Sequence, residues 1–236
     1  MPNPPGVAGF FSKGRLEEEF LGDPSLSAIL HLTKSATTFW DIGANAGLYS
    51  LLALANNPRL RVLSVEPSSE HFHALCMNRR ENPYQRWVLL HLAIGDRRTS
   101  AKITTGLGGF NHILDGTTVP AIGQNEETCL MSTLDDVAEW YETPSIDVLK
   151  IDVEGFELAV LRGANRLLTS GRIKALVIEA DGHERRYGEL PDSLQDLMGN
   201  HGYHLNRLSV LGRAGGNCAV YVHKSAPVSL LSESRS

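Results

Sequence analysis

Phe39-Trp40-Asp41-Ile42-Gly43-Ala44-Asn45-Ala46-Gly47 is the stretch that decides how this chain folds: an apolar run ends in a carboxylate, then breaks into glycines ahead of a helical segment. Residues 37–42 are rich in the β-branched and aromatic types that suit a pleated strand, and Leu48, Leu51, Leu52 and Ala55 then recur at helical spacing. A strand, a tight turn and a helix start in that order mark the place where α/β proteins hold nucleotide-like ligands.

The turn also says which ligand. A dinucleotide fingerprint asks for glycine at its first, third and sixth positions, which here hold Gly43, Asn45 and Leu48, so the fit to a pyrophosphate is poor. S-adenosylmethionine fits better: its sulfonium and ammonium are cationic, Asp41 can meet positive charge, and Gly43 and Gly47 leave room beside the backbone. The next strand reads as Arg61 to Val65 and ends at Glu66, roughly twenty residues beyond the glycines, where an acid accepts from both ribose hydroxyls. Taken singly, Asp41 and Glu66 would also serve as strand-end or helix-capping acids, and Ser68-Ser69-Glu70 would cap the following helix unaided.

Outward from this centre the alternation continues. Asp23-Pro24 reads as a cap followed by proline at the first helical position, opening a helix with Leu26, Ile29, Leu30 and Thr33 on one face that is expected to lid the site. Residues 87–94, Trp87 to Ile94, read as a third strand buried on both faces. From 97 to 131 periodicity fails; a flexible glycine-rich insertion with at most a short strand near Ala101 to Thr104 is expected. Phe110, Asn111 and His112 within it are the candidates for acceptor recognition, offering an apolar face and hydrogen bonds. The C-terminal part reads as a short helix around Leu194, Leu197 and Met198, then a hairpin of Tyr203 to Leu208 and Asn217 to His223.

A fourth strand, Ile146 to Asp152, carries the second charged constellation. Alternation points Lys150 and Asp152 to one side, and Glu154 stands at the start of a helix striped by Phe156, Ala159, Val160, Gly163 and Leu167. Strand ends of open α/β sheets form the ligand crevice, so these groups should face the same space as Gly43 and Glu66, although an ion pair of Lys150 with Glu154 or Asp152 would also explain them. For an acceptor that must give up a proton, Asp152 is the leading base or acceptor-orienting group. Lys150 would hold it ionised or polarise the substrate oxygen, Glu154 would support either role, and His183 is a further proton acceptor. In a magnesium variant, Asp152, Glu179 and Asp181 beyond the fifth strand would supply oxygen ligands. These acids resemble those of catechol-type methyltransferases, but Glu179 stands where that group has an Asp-Asn pair, and Mg2+ is not expected.

The runs Asp41 to Gly47 (DIGANAG), Val65 to Ser68 (VEPS), Leu92 to Asp96 (LAIGD), Thr133 to Val137 (TLDDV) and Leu149 to Glu157 (LKIDVEGFE) together resemble the FkbM family of S-adenosylmethionine-dependent methyltransferases. The resemblance covers Thr37 to Ala180. It implies the class I, Rossmann-like methyltransferase fold: an α/β protein with a seven-stranded, mostly parallel sheet in the order 3-2-1-4-5-7-6, helices on both faces and a C-terminal antiparallel hairpin. It also implies a cofactor site drawn from Asp41, Gly43, Asn45, Gly47, Glu66, Pro67, Ala93 and Asp152, and methylation of hydroxyls on natural products, sugars or glycolipid-like molecules.

Composition sets bounds on this reading. With 236 residues and 42% apolar content, one substantial core is expected: an arm and lid helix at 1–36, a methyltransferase domain at 37–224 and a flexible tail at 225–236. A formal charge of −5 without a dense basic run argues against nucleic acid as partner, leaving a small-molecule or glycoside acceptor. A homodimer stays open. Cys76, Cys129 and Cys218 lack metal or redox spacing and read as free thiols; with no leader-like or membrane-spanning stretch, a cytoplasmic location is expected. The alternatives are a nitrogen or macromolecular acceptor, or a catalytically silent cofactor-binding module.

Overall fold

The protein is described from a computed structural model, covering residues 23–116, 124–179, 182–190, 192–210, 218–227 and 230. Strands β1 (Thr38–Ile42), β2 (Arg61–Val65), β3 (Trp87–Leu90), β8 (Ile146–Ile151), β9 (Ile173–Glu179), β10 (Tyr203–Leu205) and β11 (Cys218–His223) form one sheet. Its order is β3-β2-β1-β8-β9-β11-β10, with β11 antiparallel to both neighbours and the rest parallel. In chain order this is the expected 3-2-1-4-5-7-6, and the order reverses between β1 and β8, where a crevice opens at the carboxyl ends.

Strand alternation divides the interior. Trp40 and Ile42 of β1, with Leu149 and Ile151 of β8, face a core completed by α4 (Leu134–Trp140), α5 (Glu157–Arg162), α6 (Asn165–Thr169) and Met198 of α7 (Ser193–Asn200). Phe39 and Val148 face the opposite core with Leu51 and Leu54 of α2 (Leu48–Asn56), Leu75 of α3 (Ser69–Glu81) and Trp87. Between these layers the strands are buried on both sides, which is why they read as nearly continuous apolar runs.

Four expectations need correction. The helix α1 (Pro24–Thr33) begins as expected, with Asp23 Oδ1 accepting from the Ser25 N–H at 2.8 Å and proline in the first turn. It is no lid: Ala28, Ile29 and Leu32 are buried in the second core, because their apolar stripe matches Phe39, Val148 and Val220 on the sheet face. The third strand is two strands. β3 is an edge of the main sheet with Val88 exposed, whereas β4 (Ala93–Ile94) leaves it to pair with Met131 and Ser132.

The insertion is also more ordered than its glycines suggested. β5 (Thr99–Thr105), β6 (Ile113–Leu114) and β7 (Asn125–Ser132) join β4 in a second sheet of order β4-β7-β5-β6. Its inner face packs Ala93, Ala101, Ile103, Ile113, Cys129 and Met131 against Phe156 and Ala159. Lastly, the helix expected from Glu154 starts only at Glu157, because Glu154 and Gly155 take positive φ of 56° and 102°, and it is interrupted at Gly163 and Ala164 between α5 and α6. Residues 1–22, 117–123, 180–181, 191, 211–217, 228–229 and 231–236 lie outside the described set, and with them most of the expected arm and tail and the glycines of the last hairpin.

Candidate active site

The turn after β1 is fixed from two sides. The N–H groups of Gly43 and Ala44 both donate to Val65 O at 3.0 Å, and the Asp152 N–H donates to Ile42 O at 3.1 Å, tying the turn to β2 and to the end of β8. Gly43 has φ +75°, and a Cβ there would lie 1.7 Å from Asp152 O, so only glycine lets the two loops approach. Asn45, with φ 50°, directs its N–H to Glu66 Oε2 at 2.8 Å, and Ser68 donates its own to Oε1 at 3.0 Å. Glu66 is thereby held rigidly between two loops.

Register explains the charged centre. Asp41 is the cross-strand partner of Lys150, on the same face, and also of Ser64 on β2. Lys150 Nζ lies 3.3 Å from Asp41 Oδ1 and 3.1 Å from Asp152 Oδ2, donates to Gly43 O at 3.1 Å, and stands 4.6 Å from the Tyr49 ring centre. Burial pushes the Lys150 pKa down, but Asp152 and Asp41 outweigh it and leave it raised. Burial likewise pushes Asp152 up, and Lys150 overrides this to hold the carboxyl below its ordinary range. On its other side Asp41 accepts from Ser50 Oγ at 2.6 Å. Ser50 is 2.7 Å from Ser64 Oγ, which in turn accepts from Trp87 Nε1 at 2.7 Å. Because Ser50 gives its proton to Asp41, the Ser64 hydroxyl donates to Ser50. A continuous buried chain thus runs from edge strand β3 to Asp152.

Lys150, Asp152 and Tyr49 border a cavity of about 270 Å³ at the strand ends. Of the residues singled out from the sequence, Gly43, Asn45, Glu66, Pro67, Ala93, Phe110, Asn111, His112, Lys150, Asp152, Glu154 and Glu179 line it. Three do not. Asp41 is fully buried beneath the turn, and the Lys150 ammonium occupies the place expected for a ligand's charge. Gly47 turns its Cβ position toward Leu75 and Trp87, so its small size serves packing rather than a ligand. His183 stands behind Glu154, its Nδ1 3.0 Å from Glu154 Oε2.

Asp152, Glu154 and Glu179 bring one oxygen each within 4.8 Å of one another, the grouping among the described residues best able to receive a cation. Glu154 joins the expected Asp152 and Glu179 in that set, and the expected Asp181 lies outside the described residues. The opposite wall is the second sheet, from which the turn 106–112 presents Phe110, 64% exposed, beside Asn111 and His112.

Residue-by-residue reading missed several participants. His71, not singled out from the sequence, lines the cavity with its Nδ1 3.8 Å from Glu66 Oε1, and that carboxylate raises its pKa. Tyr49 also lines it and donates to Asp23 Oδ2 at 2.6 Å. Glu157 Oε1 accepts from the N–H groups of Val153 at 3.2 Å and Gly155 at 3.1 Å, shaping the loop that carries Asp152 and Glu154; burial pushes its pKa up to about 7. A polar serine at an inward position of the apolar strand LSV was the available signal for Ser64.

Comparison with known proteins agrees with this geometry. The family described as Methyltransferase FkbM domain matches residues 41–205. The AMB antimetabolite synthetase AmbE of Pseudomonas aeruginosa is 26% identical over 202 residues, covering 70% of this chain and 9% of that protein. The hexuronic acid methyltransferase AglP of Haloferax volcanii is 25% identical over 158 residues, covering 64% of this chain and 60% of its own length. The chain thus spans less than two thirds of either relative. Among solved structures, TrmK of M. capricolum with S-adenosyl-homocysteine superposes with TM-score 0.52 at 11% identity over 85% of this chain and 67% of that one. The precorrin-6y C5,15-methyltransferase of Geobacter metallireducens gives 0.50 at 15% identity over 85% and 87%. These two likenesses establish the Rossmann-like fold. Among the described residues no helix is long and apolar enough to cross a membrane.

Proposed function

We propose that this chain, which belongs to the FkbM methyltransferase domain family and is an S-adenosylmethionine-dependent methyltransferase, methylates a hydroxyl of a small-molecule or sugar-containing acceptor. The observation that carries the donor side is Glu66, which lines the cavity with its two oxygens fixed by backbone N–H groups from two loops. A carboxylate so placed accepts from vicinal ribose hydroxyls. Glu66, Asp152, Glu154 and Glu179 outnumber the one lysine of the lining, a balance suited to a cationic sulfonium and ammonium and hostile to a pyrophosphate. Apolar Leu48, Val65, Leu92 and Ile94 supply walls for an adenine ring.

Bound there, S-adenosylmethionine supplies an activated methyl group, so the protein's share of the work is positioning and proton management. Gly43, Asn45, Glu66, Pro67 and Ala93 hold the donor. Asp152, kept ionised by Lys150, orients the acceptor and favours positive charge nearby. Phe110 and Asn111 receive the acceptor from the second sheet. The likeness to AglP, a hexuronic acid methyltransferase, supports a sugar-like acceptor. The low charge and absence of a dense basic run support a small acceptor over RNA, although some solved relatives of this fold act on RNA.

Turnover is read as independent of a divalent ion, because Asp152 already has the Lys150 ammonium as its counter-charge. Calorimetry with S-adenosylmethionine followed by a panel of sugars, sugar acids, phenols and amines tests the whole reading. Heat of binding with turnover of hydroxyl compounds is expected; turnover restricted to amines, or none with the donor bound, would refute it.

A further inference from the structure

We propose that His112 is the group that takes the acceptor's proton, a step beyond the donor and acceptor roles above and resting on the hydroxyl-acceptor reading. His112, immediately before β6 of the second sheet, lines the same cavity as Asp152. Its Nδ1 lies 3.1 Å from Phe110 O. A carbonyl oxygen only accepts, so Nδ1 must carry the hydrogen. The Thr104 hydroxyl, 3.4 Å from the same nitrogen, accepts from the His112 N–H at 2.9 Å and has His112 O at 3.5 Å for its own proton, so it does not compete for Nδ1. With Nδ1 protonated, Nε2 bears the lone pair, and it has no protein partner among the described residues. Backbone therefore fixes the tautomer that a general base needs.

The electrostatics favour the same group. Burial lowers the His112 pKa, the Phe110 carbonyl works against this, and Arg186 and His183 on the turn 183–187 lower it further. Asp152, Glu154 and Glu179 border the same cavity from the ends of β8 and β9. At neutral pH the imidazole is thus uncharged and able to accept. Asp152, pinned by Lys150, is a weaker base because its proton affinity is held down. In the step, the acceptor oxygen forms a bond to the methyl carbon as the carbon–sulfur bond breaks and its electron pair passes to sulfur. The O–H proton goes to Nε2, and the imidazolium afterwards releases it to water.

The test uses the full chain labelled with ¹⁵N-histidine, in the unliganded state and in turnover. His112 is expected to show Nδ1–H and a bare Nε2 at neutral pH and to titrate below the ordinary histidine value, and kcat should fall on the acid side with that same midpoint. H112Q should bind S-adenosylmethionine with unchanged heat, lose on the order of a hundredfold or more in kcat, and lack the acid limb. An Nε2–H tautomer, or an H112Q enzyme as fast as wild type, overturns this proposal alone. A wild-type enzyme that binds the donor but methylates no hydroxyl overturns the underlying reading and this proposal with it.

Discussion

Glu157 gives the sharpest quantitative prediction, because its carboxyl is buried inside the loop it shapes. Its pKa rises from 4.5 to about 7 on burial, so between those values the folded state binds the proton more tightly than the unfolded chain. The contribution is therefore fully present below 4.5 and is lost as pH rises through about 7. In Glu157→Gln the side-chain oxygen still accepts from the Val153 and Gly155 N–H groups, and nothing titrates. At about 1.36 kcal/mol per pH unit, wild type should lose about 2.5 kcal/mol relative to E157Q between pH 5 and pH 8. Urea unfolding of both proteins followed by tryptophan fluorescence across that range measures the difference, and every other titrating group cancels. Parallel stability curves would refute the burial argument.

Other perturbations reach the site more directly. Gly43→Ala should abolish donor binding in calorimetry while the protein stays folded, since the added Cβ meets Asp152 O at 1.7 Å; retained affinity would contradict the loop geometry. Lys150→Met leaves Asp41 without its buried counter-charge and should cost about 3–5 kcal/mol of stability, part of which Asp41→Asn should restore in the double variant. Ser64→Ala strands the Trp87 N–H and should cost about 1–3 kcal/mol in thermal or urea unfolding. Exhaustive chelation should leave turnover unchanged; a loss restored by magnesium would assign the Asp152, Glu154 and Glu179 cluster to a metal ion.

The parallel half of the molecule was legible because its physics is local. Two-sided burial makes apolar runs, and strand-end acids beside glycines mark loops that must bend, so β1, β2, β8 and the Gly43, Glu66 and Asp152 positions could be read directly. Asp41 was readable as important but not as hidden: one sequence cannot say that Lys150 on a strand far along the chain sits opposite it. The second sheet was missed for a similar reason. In β7, Asn-Glu-Glu-Thr-Cys-Leu-Met-Ser has only Cys129, Met131 and Ser132 buried, and polar residues on an exposed face mask the alternation. His71 was missed because its acid partner lies on the preceding loop rather than on its own helix.

The two walls of the cavity are built on separate cores, and that division has an engineering consequence. Donor-side geometry depends on the buried hydrogen-bonded chain that joins Trp87, Ser64, Ser50, Asp41 and Lys150, none of which belongs to the smaller sheet. The turn bearing Phe110 to His112 is anchored instead through β5, β6 and the Tyr187 hydroxyl, which donates to Ile113 O at 2.8 Å. Grafting that hairpin between relatives should therefore retune which alcohol is modified without rebuilding the machinery that grips the methyl source, making the β5–β6 hairpin, but not β4 with its Ala93 and Ile94, a replaceable cartridge on a fixed chassis.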